Sequence, residues 1–298
     1  EKEPRLPSEN LAINNLFRDL ISENKYDAVV RVYYNKMGII LANHESIRDV
    51  YHNFCEENGL EVIKRPTGGS AVLVTPSHVL SYSAIFNLPK LEIEKDLTKI
   101  YKSITFPLTE KLIQLGASVF VEGKWYLRAR FNGDSLPFAG HAMRSFDKGK
   151  ILQFDGIVNL TKPPLDLIKN AMKLRKLYDF NGSRYIFLEG NYHPLNRENR
   201  NDGFDPENAR LLRDEEKELE RMIGLAELNI SEKSFVDILF EVFNNFFGDI
   251  KKIDFKIEED RLSKYRNKIL NMKFGDGYGW GHCLVDMLQK EPKIRYPE

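Results

Sequence analysis

Cysteine is nearly missing from this chain of 298 residues: there are two, Cys55 and Cys283, far apart and with no Cys-x-x-Cys neighbour. That excludes a disulfide framework and a thiolate-built structural metal, and it makes a reducing, cytoplasmic compartment the expected setting. Net charge is missing as well, since Lys+Arg and Asp+Glu stand at 44 each. No global field draws the chain to nucleic acid or to an anionic membrane, so neither is an expected partner and recognition must be local. No apolar run approaches the length of a membrane span, and Glu1, Lys2 and Glu3 do not read as a signal peptide. The sequons at Asn159, Asn181 and Asn229 therefore carry little weight. His44, His52, His78, His193 and His282 show no zinc-ligand spacing, so no metal site is expected.

What is present is a chain long enough to bury a sizeable core, either as one large domain or as a domain with an appendage. Ser8 is the expected cap of a helix whose apolar positions Ile13, Leu16, Phe17, Leu20 and Ile21 follow the i, i+3, i+4 rule. A second helix is expected from Ser46, with Ile47, Val50, Tyr51 and Phe54 on one side, ending at Gly59. Cys55 borders that stripe. A longer pattern runs from Leu97 to Leu115, and Pro107 is expected to kink or split it. Strand-like segments follow at 118–121, 125–131, 138–145 and 151–160, with turns at Asn132-Gly133 and Asp147-Lys148-Gly149. Helices interspersed with hairpins predict an α+β fold, a mixed sheet covered by helices.

After Pro163-Pro164, residues 165–177 read as helix and 181–188 as strand. Residues 189–205 read as a mobile loop, and 206–223 as a charged outer helix with a stripe at Leu211, Leu212, Leu219 and Met222. Ser231 is the expected cap of a core-facing helix carrying Phe235, Ile238, Leu239, Val242, Phe243 and Phe246. The expected division is a large domain over 1–248 and a small extension over 249–298, comprising a short strand, a charged helix and a Gly-rich run ending at Gly281.

The segment that carries chemistry is Lys64-Arg65-Pro66-Thr67-Gly68-Gly69-Ser70-Ala71-Val72-Leu73, a guanidinium and two glycines between apolar runs at 60–63 and 71–74 that read as strands. Glycine permits positive φ and lets bare N–H groups approach a ligand, while arginine adds a permanent forked charge, so the pattern suits an anionic group. An ordinary hairpin turn is the competing reading.

The Arg-x-Thr-Gly-Gly-x-Ala-Val run resembles the signature of the lipoate–protein ligase and octanoyltransferase branch of the biotin/lipoate ligase family. Glu9-Asn10-Leu11-Ala12 resembles that family's opening helix. Val30-Arg31-Val32-Tyr33-Tyr34 and Gly38-Ile39-Ile40-Leu41 resemble its first strands, and Leu80-Ser81-Tyr82-Ser83 the strand after the glycine loop. Ala139-Gly140-His141-Ala142 lies where the family has a small-Gly-x-Ala segment, and Asp155-Gly156 where it commonly has His-Gly. The resemblance covers roughly residues 8 to 160.

It implies a biotin/lipoate ligase-type catalytic domain that activates lipoate or octanoate with ATP and magnesium as substrates and passes the acyl group to a lysine of a lipoyl-type carrier domain. No permanent cofactor is implied. The residues implied in binding are Arg65, Thr67, Gly68, Gly69 and Ser70 at the acyl carbonyl or phosphate, and Ala71, Val72, Tyr82, Gly140, His141 and Ala142 along the acyl slot. For the apolar ones, plain sheet core is the alternative. In the family a comparable C-terminal tail carries a tyrosine and a tryptophan and lies next to the catalytic domain.

The sequence departs from the family pattern at Pro137, where the resemblance implies a lysine. Losing such a contact costs on the order of a hundred- to a thousandfold in rate. Candidate replacements are Lys124, Arg128, Arg130, Lys148 and Lys150, each of which also reads as a solvated strand-edge charge. Val74-Thr75 replaces a common His-Asp. His141 reads either as a donor or general base, or as a packed core histidine. Neither cysteine matches a family nucleophile. Three readings stay open: an ATP-dependent ligase, a non-catalytic paralogue partnering a complete ligase as a second subunit, and an acyltransferase using a pre-activated donor.

Overall fold

A computed structural model describes residues 3–43, 45–122, 126–174, 176–180, 183–188, 191–194, 209–248, 250–251 and 259–270. Its centre is an antiparallel sheet of six strands: β1 (Ala28–Tyr33), β5 (Val79–Asn87), β9 (Ile151–Asn159), β8 (Asp134–Phe146), β7 (Tyr126–Phe131) and β6 (Val119–Glu122), in that order. Beside it lies a three-stranded sheet in which β2 (Gly38–Leu41) pairs parallel with β3 (Glu61–Lys64) and antiparallel with β4 (Val72–Val74). Every residue of β5 is buried, because helices cover both faces of the large sheet.

One face is covered by α3 (Leu97–Gln114) and α6 (Glu232–Phe247), which bury Ile104, Leu108, Phe235 and Phe243 against Tyr82, Phe86, Phe138 and Phe154. The other is covered by α1 (Pro7–Ser22), whose Ile13, Leu16, Phe17 and Ile21 meet Ile85 and Ile151. Packing of this kind contributes about 1.5–3 kcal/mol for each fully buried large apolar side chain. The small sheet packs on α2 (His52–Glu57) and α4 (Leu165–Ala171) through Ile39, Val50, Cys55 and Ile168. A further four-stranded antiparallel sheet comprises β10 (Lys176–Phe180), β11 (Ser183–Leu188), β12 (Asn191–Pro194) and β13 (Arg210–Asp214).

Several expected boundaries move. Leu6, not Ser8, caps α1, since Pro7 sits comfortably at the first helical position with its preset φ. Ser8 is instead buried, its hydroxyl donating to Glu61 Oε1 at 2.6 Å and its N–H to Oε2 at 2.8 Å. The helix expected from Ser46 to Gly59 is a 3₁₀ turn, Ile47–Asp49, followed by α2. Between them the Tyr51 N–H leaves the helical pattern to donate to Ala171 O at 3.0 Å. Pro107 does not split α3, which runs on as one helix while the hydroxyls of Thr105 and Thr109 donate to the carbonyls of Tyr101 and Thr105.

The helix expected over 165–177 stops at Ala171 and gives way to β10, and that expected over 206–223 is β13 followed by α5 (Glu215–Glu220). Tertiary pairing overrides local propensity there, because β13 completes the edge of β10. The loop expected over 189–205 contains β12; its other positions lie outside the described residues, as do the Gly-rich run after 270 and Cys283. The charged helix of the expected extension is α7 (Glu259–Leu270), which lies along α1: Arg266 Nε donates to Ser8 Oγ at 3.3 Å and Arg261 pairs with Glu23 at 3.4 Å. Among the described residues no helix is long and apolar enough to cross a membrane.

Candidate functional site

Strand register decides which side chains share a face. Ala142 stands opposite Asp155 and Gly140 opposite Ile157 across β8 and β9, and Asp155 stands opposite Ser83 across β5 and β9. These residues all point toward α1, since side chains alternate with period two. Gly140 has no side chain there, and the ring of Tyr126 lies 3.8 Å from where its Cβ would be. Tyr126 is 40% exposed, a large aromatic left beside a bare patch of sheet.

Facing that patch is the chain from β3 to β4. Arg65 holds it: Nε donates to Gly68 O at 3.1 Å, Nη2 to Gly68 O and Ser70 O at 2.7 Å each, and Nη1 to Ile40 O at 3.1 Å. Gly69 adopts φ +92°, and a Cβ there would stand 2.9 Å from Arg65 Nη2, so glycine is needed for backbone and for space. The far end is tied by Glu45, which accepts from the N–H groups of Ala42 at 2.7 Å and Ala71 at 2.8 Å. With the Gly68 and Ser70 carbonyls turned onto Arg65, none of the hydrogen bonds among the described residues uses the N–H of Gly68, Gly69 or Ser70. Consecutive free N–H groups of this kind suit a carbonyl or an anion. Burial lowers the Arg65 pKa, and Glu45 and Asp155 oppose that shift.

Asp155 joins this loop to the sheet. Its carboxylate accepts from Ser83 Oγ at 2.6 Å, from Gln153 Nε2 at 2.9 Å on each oxygen, and from Thr67 Oγ1 at 3.3 Å. Behind Ser83 the chain of donors continues: Asn14 Nδ2 donates to Ser83 Oγ at 3.0 Å, and Arg31 Nη1 to Asn14 Oδ1 at 2.9 Å. Burial raises the Asp155 pKa, opposed by its hydrogen bonds to Ser83, Gln153 and Thr67 and by the charge of Arg65. Two further guanidiniums stand nearby. Arg144 donates to Pro66 O, and both Arg144 and Arg18 lie over the Phe146 ring, at 5.5 and 3.9 Å. Burial lowers the Arg18 pKa to about 10, against the pull of Asp155.

The residues inferred from sequence divide between the two faces. Arg65, Thr67, Gly68, Gly69 and Ser70 come together in the loop, opposite Gly140 and Ala142. Ala71 ends the loop and Val72 begins β4; both are half-buried, and Val72 pairs with Ile40. Tyr82 and His141 are not on this face: their positions alternate with those of Ser83 and Gly140, and they turn toward α3 and α6. Tyr82 Oη lies 2.6 Å from His141 Nε2, and the His141 ring packs against Tyr101 and Phe154 at centroid distances of 5.6 and 5.1 Å. His141 thus lies in the surroundings that the packed-histidine reading describes.

Pro137 is buried, with its carbonyl accepting from Ile223 N at 3.2 Å, so this strand position is covered by the segment before α6. The described candidates among the replacement cations do not gather at the site. Arg128 is committed to Ser135, at 2.8 Å, and to Glu122, at 2.9 Å. Arg130 lies over the Phe120 ring, while Lys148 and Lys150 flank the β8–β9 turn at the far end of the hairpin. Lys124 lies outside the described residues. Cys55 is buried on α2 against Ala171 O, and burial pushes its thiol pKa up, which does not suit a nucleophile.

Sequence reasoning passed over Arg144, Arg18 and Tyr126, and marked Asp155 only by its place in the family pattern, without a site role. Two signals were available. Gly140, Ala142 and Arg144 are i, i+2, i+4 on one strand face, and Asn10, Asn14 and Arg18 are i, i+4, i+8 along a helix, polar groups on a side that had to be buried.

An antiparallel sheet with a bare Gly-Ala face, crossed by an arginine-pinned glycine loop that links it to a small mixed sheet, defines an α+β domain. The model of the lipoyl protein ligase A/B catalytic domain matches residues 6–166, more than half of the chain, and the chain belongs to that family. Among curated proteins it is similar to the octanoyltransferase LipM of Lysinibacillus sphaericus, 27% identical over 116 residues, which span 38% of this chain and 41% of the relative. Among solved structures it is similar to a bi-partite lipoate protein ligase from Thermoplasma acidophilum, described with its E2 lipoyl domain (TM-score 0.60, 13% identity, 91% of each chain covered). It is also similar to a lipoate-protein ligase A bound with ATP (TM-score 0.58, 14% identity, 91% of this chain and 95% of the other). A third is P. falciparum LipL1 in complex with lipoate (TM-score 0.58, 12% identity, 93% and 72% covered). At these identities the structural likeness establishes the fold, an α+β domain of the lipoate ligase type.

Proposed function

We propose that this chain transfers a lipoyl or octanoyl group to a lysine of a lipoyl-type carrier domain, holding the acyl head group between the loop 65–71 and the Gly140–Ala142 face. The observation that carries this reading is the row of N–H groups at Gly68, Gly69 and Ser70, without partners among the described residues while Arg65 takes the carbonyls of Gly68 and Ser70. Preorganised donors of this type stabilise the oxyanion that forms when an amine attacks an acyl carbonyl. Arg65 acts on that head group through the loop. Arg144, exposed on the same sheet face, is the cation best placed to meet a carboxylate or phosphate.

The activated donor is an acyl-adenylate made from ATP, with magnesium arriving on the nucleotide's phosphates. A solved structure of similar fold binds ATP and another binds lipoate, which supports this choice. The carrier lysine then displaces AMP. Residues 249–298 are assigned to a C-terminal extension, of which α7 lies along α1, and the reaction is assigned to the cytoplasm.

The test is mass spectrometry of a lipoyl carrier domain incubated with the protein, octanoate or lipoate, ATP and magnesium, with a parallel reaction containing an octanoyl thioester and no ATP. An acyl mass shift with pyrophosphate release supports the ligase. A shift only with the thioester replaces ATP activation by a pre-activated donor.

A second reading, a non-catalytic subunit that binds the acyl group beside a complete ligase, is supported by Pro137, where a buried proline stands in place of the lysine the resemblance implies. The bi-partite architecture of one similar structure is in keeping with it. Acyl-nucleotide binding with no transfer in either reaction decides for that reading.

A further inference from the structure

We propose that Asp155 is a positioning residue for acyl transfer, holding the loop 65–71 in its N–H-presenting form by accepting the hydroxyl of Thr67. The inference rests on the acyl-transfer reading for its function, but the latch itself is a separate structural statement. Asp155 accepts from Ser83, from Thr67 and from Gln153, whose amide nitrogen lies 2.9 Å from each carboxylate oxygen, so both oxygens are turned to donors of the fold.

Geometry assigns it the role of anchor. Thr67 is completely buried, and its Oγ1 to Asp155 Oδ2 contact is the hydrogen bond that joins this loop to β9. The Thr67 carbonyl accepts from Asn43 N at 3.1 Å, and the N–H of Arg65 donates to Leu41 O at 2.8 Å, so Thr67 ties the large sheet to the chain just after β2. The donors behind Asp155 are aligned: Arg31 to Asn14, Asn14 to Ser83, Ser83 to Asp155. Each fixes the direction of the next, so a buried cation at one end orients donors onto the carboxylate at the other. Gln153 gives an independent mark of the same demand. It is fully buried and turns its amide nitrogen to Asp155, 2.9 Å from each oxygen, an orientation that leaves Oε1 without a partner among the described residues.

The experiment is a double-mutant cycle on the full chain with Thr67→Val, which keeps shape and loses the hydroxyl, and Asp155→Asn, which keeps size and loses the charge. Two readouts are used: steady-state transfer to a lipoyl carrier domain, and amide exchange at Asn43, Arg65 and Ala71, whose N–H bonds hold the loop's surroundings. Each single variant is expected to lower kcat about tenfold with KM changed less, since donors misplaced at the carbonyl act on the transition state. The double variant should be no worse than the poorer single one. Thr67→Ser, which restores the hydroxyl, should restore kcat, and exchange at the three amides should quicken in Thr67→Val alone of the two threonine variants. Amide exchange in Thr67→Val equal to wild type overturns the latch, as does a fully multiplicative, roughly hundredfold loss in the double variant. Absence of transfer by the wild type would sink the acyl-transfer reading instead, and the exchange measurement would still decide the latch.

Discussion

Arg65 and Gly68 are bound to one another three residues apart: the guanidinium donates to the Gly68 carbonyl through both Nε and Nη2, at 3.1 and 2.7 Å. The charge that sequence reasoning aims at a ligand is thus spent on the loop, and what faces outward is backbone. Arg65→Lys is expected to fail, because an ammonium on a flexible stem cannot serve Gly68, Ser70 and Ile40 together. Leaving these half-buried carbonyls without their donor should cost about 1 kcal/mol of stability, read from urea unfolding. Acyl transfer should fall by about a hundredfold. Wild-type transfer rates in Arg65→Lys would show that the loop does not depend on the fork.

His141 lies behind the sheet from this loop. His141→Phe should therefore leave kcat within about threefold of wild type, whereas loss of a general base typically costs 10²–10⁴-fold. It should lower stability by about 1–3 kcal/mol, since Tyr82 Oη loses its partner at 2.6 Å inside the core. A hundredfold loss of kcat in a stable variant would return His141 to the catalytic list.

Gly156 is required by packing. A Cβ there would stand 2.1 Å from Tyr82 Cζ, and Tyr82 is wholly buried. Gly156→Ala should destabilise by about 1–3 kcal/mol through overpacking, and combining it with Tyr82→Leu should recover part of that loss. Thermal unfolding of the three variants checks the pairing; additive losses would contradict it.

Asp155 sets a pH dependence of stability. Burial raises its pKa, so the folded chain holds that proton more tightly than the unfolded chain does. Its contribution favours folding below the ordinary carboxylate value and is lost as pH rises to the raised value, after which it is constant. Wild type should therefore lose stability relative to Asp155→Asn as pH climbs through that window, with no further change above it. A stability difference that does not vary from pH 3 upward would contradict this.

Much of the fold was legible because its elements are local. The apolar stripes of α1 and α6 and the Ser231 cap are patterns of neighbouring residues, and the structure keeps them; the Ser231 hydroxyl accepts from Ser234 N at 3.0 Å. Boundaries were lost where a non-local partner won, at Tyr51, which donates to Ala171, and at 210–214, which pairs with β10. The glycine loop was legible because glycine and arginine perform chemistry that few other residues can.

By itself, then, the sequence determined the amphipathic helices α1, α3 and α6, the position of the glycine loop and the resemblance to the family, through periods and motifs that a short window contains. Only the tertiary structure decided which side of the sheet is the site. Tyr82 and Ser83, or Gly140 and His141, are neighbours in sequence yet face opposite ways, and nothing local states which face meets α1 and which meets α3 and α6. That choice rests on cross-strand register, including the irregularity between Leu127 and Arg128. Register comes from packing between distant segments, because a one-residue shift exchanges every inward side chain for an outward one.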